Sequence, residues 1–302
     1  MIDIVIPVYR QNAKFYKLIE RLADQTIKPE KLILMYTISG IDERETDAFE
    51  QKVKTILRAV GADDIDVEVY AVRKEEFSPA KTREQGYLHC RNPYVLFMNE
   101  DAYPANSKMI ENLVEKLESD PKVVLAYARQ KTDDKAIDYV RYNQDYFFPK
   151  EVVYKTREDY ESMGVMAVYC SNVCCMYKRD ALEYIGGFGD VKKSEELIFA
   201  RKAMDAGFTI CYAGDAEVVY YRKLTLKGQF MKSYRLAAAR QKNKELYDGL
   251  SSKGEGGKLL KKVLLKLIVR GKIFQAIYYV GWTLARGLGF RIGQMMVRKK
   301  RK

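Results

Sequence analysis

YVLFMNED, residues 94–101, is a short apolar run that leads directly into three polar side chains. The run Tyr94–Met98 has the length and composition of a buried β-strand, and Asn99, Glu100 and Asp101 follow at its end. Similar strands alternate with amphipathic helices over the preceding ninety residues. The strands are predicted at Ile2–Val8, Lys31–Tyr36 and Val67–Val72, and the helices at 12–25, Thr46–Val60 and Lys81–Cys90.

This alternation predicts an α/β fold built on a doubly wound parallel sheet. Ligands of such sheets bind beyond the carboxyl ends of the strands. The functional side chains are therefore expected in the loops after Val8, Tyr36, Val72 and Met98. The acidic cluster after Met98 lies in one of these loops.

The remainder of the chain is less regular. Residues 131–165 are rich in Tyr, Asp and Lys with little periodicity, and we predict a long loop with irregular helices that faces the substrate. From Leu226 onward the pattern is helical and basic. We expect a catalytic domain over 1–225 and a helical extension over 226–302. Between them, helices are predicted at 107–118, 179–185 and 195–206, strands at 123–129, 168–177, 209–212 and 217–221, and a glycine-rich turn at 186–189.

The positive charge of the chain is concentrated at its C-terminal end. Residues 222–302 contain 22 Lys/Arg and 3 Asp/Glu, whereas residues 1–221 contain 31 Lys/Arg and 38 Asp/Glu. A nucleic-acid enzyme more often spreads positive charge around its cleft, so a DNA- or RNA-binding role is the weakest interpretation. An acidic body with a basic tail indicates an anchoring element.

The cysteine and histidine content argues against a zinc site. The five cysteines form no CxxC pair, and His89 is the only histidine. The N-terminus has no charged region followed by an apolar stretch, so no secretory signal is predicted. Reduced, buried thiols in a cytoplasmic protein are expected.

Two acidic pairs are candidates for catalysis. Asp101 is a natural carboxylate ligand for a divalent cation, Mn²⁺ or Mg²⁺, and Asn99 lies on the same side of an extended chain. Glu100 would then point the other way, toward a nucleotide. The second pair, Glu195-Glu196, opens a helix, where the macrodipole alone also favours carboxylates. The alternative for the acidic residues that follow Met98 is that they form a solvated turn without a catalytic role.

Several motifs, taken in order, resemble family 2 glycosyltransferases, which are inverting enzymes with a GT-A fold. The resemblance is closest to their rhamnosyltransferase-like branch and covers most of the chain. The motifs are Ile4–Tyr9, Gln25-Thr26, Phe77-x5-Arg83-x2-Gly86, Phe97–Pro104, Ser171–Val173, Ile185–Phe188 with Glu195-Glu196, Ala206–Tyr212 and Leu288–Gly293.

The resemblance implies a role for each matched position. Pro7, Val8 and Tyr9 would form the floor of a pocket for a nucleotide diphosphate sugar, with Arg83 near the base or diphosphate. Asp101 matches the second aspartate of the metal-binding DxD motif, Asn99 falls where the first usually stands, and Asn172 would line the acceptor side. Glu196 falls where the family has its catalytic base, an aspartate, and Glu195 precedes it. Tyr36 replaces the aspartate that normally grips the nucleobase.

The resemblance also implies a glycan or lipid-linked acceptor and a role in surface polysaccharide synthesis. The basic, apolar tail then suggests a peripheral position on an anionic membrane, at the inner face of the cell membrane. The alternative for the tail is a helical pair packed on the catalytic domain. The alternative for the whole protein, prompted by the missing acidic positions, is a non-catalytic membrane-associated scaffold or regulatory partner.

Overall fold

A computed structural model of the chain describes residues 1–38, 44–188, 194–242, 247, 249–250 and 255–299. These residues form two compact units. The sheet unit comprises residues 1–130, 150–159 and 167–220, and the helical unit comprises residues 131–149, 160–166 and 221–302.

The strands of the sheet unit lie in the order β3-β2-β1-β4-β8-β6-β9-β5, and β7 pairs with β9. Their bounds are β1 Ile2–Val8, β2 Lys31–Ile38, β3 Asp66–Arg73, β4 Tyr94–Met98, β5 Tyr103–Pro104, β6 Val123–Lys131, β7 Val153–Lys155, β8 Cys174–Lys178 and β9 Thr209–Val219.

The helices are α1 Ala13–Ala23, α2 Arg44–Ala59, α3 Pro79–Tyr87, α4 Met109–Glu118, α5 Asp138–Phe147, α6 Tyr160–Met163, α7 Arg179–Ile185, α8 Glu195–Asp205, α9 Leu226–Lys242, α10 Glu255–Val269 and α11 Ile273–Lys299. Two short 3₁₀ turns, 157–159 and 164–166, flank α6.

The first half of the sheet confirms the predicted architecture. Strands β1 to β4 are mutually parallel where they pair, with Val5 beside Ile33 on one side and beside Phe97 on the other. Every residue of β1 is buried, which is typical of a parallel strand covered by helices on both faces. Helix α1 covers one face through its predicted apolar positions, which are Phe15, Leu18, Ile19 and Leu22.

The second half of the sheet is mixed rather than parallel. Strand β8 runs antiparallel to both β4 and β6, with Cys175 between Phe97 and Tyr127. Strand β9 is also antiparallel to its partners β5 and β7.

Three local predictions need correction. The segment 131–165 contains a regular helix, α5, and a strand, β7, instead of only irregular structure. The predicted strand 168–177 forms only from Cys174 onward. The two strands predicted at 209–212 and 217–221 are one strand, β9. Gly214, which suggests a turn in sequence, lies inside β9 because the backbone of Lys150 occupies the place of its missing Cβ.

The helical unit is held together by α9, α10, α11 and α5. Its apolar cluster joins Tyr139 and Tyr142 of α5 to Leu259, Val263 and Leu267 of α10 and to Tyr279 of α11. Helices α9 and α11 approach closely at Gly289 and Gly293, where a Cβ would fall on the carbonyl oxygens of Phe230 and Tyr234. The Leu288–Gly293 motif thus places two glycines in a helix–helix contact. Within the described residues, no helix combines the length and apolar character needed to cross a bilayer.

Candidate active site

The ends of β1 and β4 are tied together by Glu100. Its Oε2 accepts hydrogen bonds from the backbone N–H of Tyr9 at 2.6 Å and of Arg10 at 2.8 Å. Pro7 and Val8, immediately before, are buried in the sheet. The side chain of Glu100 therefore holds the backbone of the first loop, and its predicted contact with a nucleotide stays a prediction.

Aromatic side chains surround this loop. Tyr9 is partly exposed and packs against Phe77, with ring centroids 5.1 Å apart. Tyr36 is the register partner of Val8 on β2, and its ring stacks on Phe49 at 4.4 Å. The Tyr36 hydroxyl accepts a 2.9 Å hydrogen bond from Gln11. An aromatic ring and an amide thus occupy the place where the resemblance expects a carboxylate.

Arg83 is positioned by a close approach of α3 to the sheet. A Cβ on Gly86 would lie 2.5 Å from a methyl carbon of Val5, so glycine allows the helix to pack directly on β1 and β2. Arg83 then points into the protein and is buried. Its NH1 donates to Glu195 at 2.5 Å and its NH2 donates to Asn99 at 2.7 Å.

Glu195 is the acceptor at the centre of a buried network. Besides Arg83, its Oε1 accepts a 3.2 Å hydrogen bond from Asn172, and only 3% of the residue is exposed. The Asn172 oxygen in turn accepts a 2.7 Å bond from the hydroxyl of Tyr177. A buried ion pair tolerates desolvation better when hydrogen bonds satisfy its other polar atoms, and Asn99 and Asn172 supply two such bonds here. The network therefore runs from Tyr177 on β8 to Asn99 after β4.

Glu196 lies next to this network in the first turn of α8. Burial raises the pKa of the Glu196 carboxyl above its ordinary value, and the neighbouring carboxylate of Glu195 raises it further. A raised pKa makes its conjugate base stronger, which suits a general base that works near neutral pH. Glu195, by contrast, is committed to Arg83 and Asn172.

The backbone before α8 is strained. Ser194 has φ 64°, the only positive value at a non-glycine residue among those the structure describes. Residues held in this region are frequent at functional sites. The preceding turn is also tightly held, since Glu84 accepts a 3.0 Å bond from the N–H of Phe188 and leaves no room for a side chain on Gly187. The turn that ends at Phe188 is therefore held in place by Glu84.

Asp101 and Asn99 are the two residues predicted to bind a cation. The Asn99 oxygen accepts a hydrogen bond from the Arg83 guanidinium, so ligation by Asn99 would require that bond to be exchanged. Asp101 is half-buried two residues further along. No group of three or more His, Cys, Asp or Glu that could bind a metal is found in the described part of the chain. One carboxylate fits a divalent cation whose other ligands are substrate phosphates and water.

Beneath the site is a buried lysine that the sequence pattern did not identify. Lys155 of β7 donates to the Tyr127 hydroxyl at 3.1 Å and to the carbonyl oxygen of Tyr169 at 2.5 Å. Burial lowers the pKa of Lys155 to about 8. The next residue after Tyr169, Cys170, donates to the backbone oxygen of Glu196 at 3.1 Å. The signal was missed because the segment around Lys155 was predicted as a loop.

Three comparisons with known proteins agree on one class. The model of glycosyl transferase family 2 matches residues 3–186. The O-antigen chain rhamnosyltransferase RfbN of Salmonella typhimurium is 22% identical over 295 residues, which cover 97% of this chain and 89% of that protein. WbaN, an O-antigen chain rhamnosyltransferase of Salmonella anatum, is 21% identical over 294 residues, with coverages of 96% and 88%.

A solved structure extends the likeness to the fold. The mannosyltransferase PcManGT of Pyrobaculum calidifontis, in complex with GDP-Man and Mn²⁺, superposes with a TM-score of 0.62 at 14% identity. The superposition covers 97% of this chain and 86% of that one. Similarity at this level of identity concerns the fold, and it confirms the predicted GT-A architecture.

Proposed function

This chain belongs to glycosyl transferase family 2, and on that basis we propose that it is an inverting transferase using a nucleotide diphosphate sugar. The acceptor is a glycan or a lipid-linked glycan in surface polysaccharide synthesis. The O-antigen rhamnosyltransferases that it resembles over nearly their whole length support this context, and they favour a deoxyhexose such as rhamnose as the transferred sugar.

One observation carries the proposal. Arg83 bonds on one side to Asn99, after β4, and on the other side to Glu195, at the start of α8. Through this single guanidinium, the segments that contain Asp101 and Glu196 are brought to the same edge of the sheet. The two carboxylates are the groups that the reaction requires, one on the leaving-group side and one on the acceptor side.

In the proposed reaction, the Glu196 carboxylate takes the proton of the acceptor hydroxyl. The acceptor oxygen forms a bond to the anomeric carbon while the bond from that carbon to the diphosphate oxygen breaks, which inverts the configuration. A divalent cation, when bound at Asp101, neutralises charge on the departing diphosphate. The Nε–H of Arg83 is buried and has no hydrogen-bond partner among the described residues, so it is a donor suited to a phosphate oxygen.

Donor recognition is assigned to the first two strand ends. Pro7, Val8 and Tyr9 line the nucleotide pocket, and Glu100 holds their backbone in place. Tyr36 and Gln11 supply an aromatic face and hydrogen-bonding groups in place of the missing aspartate. Asn172 supports the acceptor side through Glu195. The enzyme works at the inner face of the cell membrane.

The proposal is tested by calorimetric titration with UDP, dTDP, GDP and CDP, each with and without Mg²⁺ or Mn²⁺. We expect one nucleotide to bind in a metal-dependent manner, and Asp101→Ala to abolish the metal dependence. Asp63→Ala, which removes an exposed carboxylate at the far end of the sheet unit, is the matched control. Absence of binding to every nucleotide, with and without metal, would instead support the non-catalytic scaffold.

A further inference from the structure

The turn between α10 and α11 exposes large apolar side chains. Phe274 is 91% exposed and Val269 is 77% exposed, on the two sides of Gly271. Exposed apolar patches of this kind mark sites of association with a protein or a membrane. The other exposed apolar side chains of this tip are Leu265, Ile268, Ile273 and Ile277.

The exposed apolar surface continues along α11. Val280, Leu284, Leu288 and Ile292 follow Ile277 at intervals of three or four residues, and all are exposed. This spacing places them on one side of the helix. Another side of α11 is used internally, since Tyr279 is buried and Gly289 and Gly293 contact α9. Helix α11 therefore has an apolar outer face in addition to its packed face.

The charged side chains of residues 256–297 have one sign. Residues 256–297 contain eight Lys/Arg and no Asp or Glu. Lys261, Lys266, Arg270 and Lys272 are exposed close to the apolar tip in sequence. A partner that fits this surface must therefore accept aliphatic and aromatic groups and also carry negative charge.

We propose that the outer face of α10 and α11 docks on a bilayer that contains anionic lipid, with the tip around Phe274 inserted below the headgroups. A second copy of this chain fits less well, because two such faces would bring like charges together. A nucleic acid offers no apolar layer for Phe274 and Val269. Since neither helix is suited to crossing a bilayer, both would lie in the plane of the interface.

This inference deepens the proposed function by giving the transferase a position beside lipid-linked acceptors, and it rests on that function only in this respect. Vesicle binding requires no donor, metal or turnover. A protein that fails to bind vesicles but transfers sugar to a soluble acceptor would contradict the docking surface alone. A protein that binds vesicles without transferring sugar would contradict the transferase alone.

The first experiment is co-sedimentation of the full-length protein with vesicles of phosphatidylcholine, alone or mixed with phosphatidylglycerol. We expect binding only to the anionic vesicles, weakened by salt. Phe274→Ser should reduce the partition coefficient roughly tenfold or more, because a buried Phe side chain is lost from the membrane. Leu88→Ser is the matched control, since Leu88 is 74% exposed in the sheet unit. Its partition coefficient should equal that of the unchanged protein.

Charge is tested separately. Lys261→Gln with Lys272→Gln should lower binding about fivefold for each cation removed. Lys122→Gln with Lys202→Gln, at two exposed positions of the sheet unit, should leave binding unchanged. Equal binding of all variants, or no binding to anionic vesicles, would overturn the inference. A dimer in solution that Phe274→Ser dissociates, without vesicle binding, would show instead that the face joins two copies.

A spectroscopic readout covers the case in which partition is too weak to sediment. Phe274→Trp places a new indole at the tip, and its emission should shift to shorter wavelength when anionic vesicles are added. Trp282, the only native tryptophan, is part of the α5–α11 cluster and provides the background signal of the unchanged protein. If anionic vesicles leave the emission maximum of Phe274→Trp unchanged, the tip does not insert into the membrane.

Discussion

The candidate site in the sheet unit and the outer face of α10–α11 differ in whether their charged side chains are buried and paired. In the sheet unit, Arg83 and Glu195 are buried, and each has hydrogen-bonded partners. On α10–α11, seven of the eight cations of residues 256–297 are exposed, and no acidic residue accompanies them in that range. Charge that is buried and paired holds a site in one geometry, whereas exposed charge of one sign contributes little to stability and instead selects a partner.

The largest effect is expected at Glu196, where the comparison is between two adjacent carboxylates. Glu196→Gln should reduce sugar transfer by roughly 10²–10⁴-fold, because the general base is lost. Glu195→Gln should chiefly lower the free energy of unfolding, because the partner of Arg83 loses its charge. Initial rates and urea unfolding of both variants check this. Equal rate losses without any change in stability would show that the two residues act as one catalytic unit.

The Glu195-Glu196 pair should make both stability and sugar transfer depend on pH. The pKa of Glu196 is raised above its ordinary value of 4.5 by burial and by Glu195, so the folded protein holds this proton more tightly than the unfolded chain. This contribution to stability is present at low pH. It is lost as the pH rises from the ordinary value through the raised one. Transfer should rise over the same range, and Glu196→Gln should remove both dependences.

The next largest effect is expected on the free energy of unfolding when the cation of the buried network is removed. Arg83→Ala should lower the free energy of unfolding by about 3–5 kcal/mol, because Glu195 is left as a buried charge without its cation. Lys261→Ala, at an exposed position of α10, should change it by no more than about 0.5 kcal/mol. Arg83→Met with Glu195→Met should recover part of the loss. Similar changes in the free energy of unfolding for Arg83→Ala and Lys261→Ala would show that the buried pair costs no more to break than an exposed charge.

The smallest effect concerns how the helical unit is packed. Gly289→Ala should cost about 1–3 kcal/mol, because the added methyl group meets the backbone of Phe230. Gly287→Ala, in the same helix with open space around it, should instead stabilise the protein by about 0.5–1 kcal/mol. Thermal unfolding of both variants gives the comparison. Destabilisation of equal size at both positions would mean that α9 and α11 do not approach at Gly289.

Some sequence motifs have structural roles that the pattern alone did not reveal. Gln25, part of the matched Gln25-Thr26 motif, accepts a bond from the N–H of Ile110 and donates to the carbonyl of Asn106. These two hydrogen bonds hold the segment between β5 and α4 against the end of α1. His89, the only histidine, stacks on Tyr70 with ring centroids 3.7 Å apart. All five cysteines are buried and free, as expected for thiols that do not form disulfides.

Several predictions made from the sequence are not tested by the structure. The ligation of a cation by Asp101 and Asn99, the base role of Glu196, and the anionic membrane partner are assigned from residues and resemblance. The domain division at 225 and 226 has the same standing. The sheet unit and the helical unit interleave along the chain, because residues 131–149 and 160–166 belong with the C-terminal helices. A helix built of Tyr, Asp and Asn such as α5 gives little periodic signal, which is why the sequence pattern did not identify it.

The sequence by itself determined the parallel half of the sheet, the edge at which the candidate site residues lie, and the family. These follow from local information: apolar runs of fixed period, the residues at the strand ends, and ordered motifs. Only the tertiary structure decided that Glu195 is bound to Arg83 and Asn172, that Asn99 faces an arginine, and that Lys155 lies buried below. Such partners are distant in sequence, and hydrogen bonding and desolvation between them depend on where the folded backbone places each side chain.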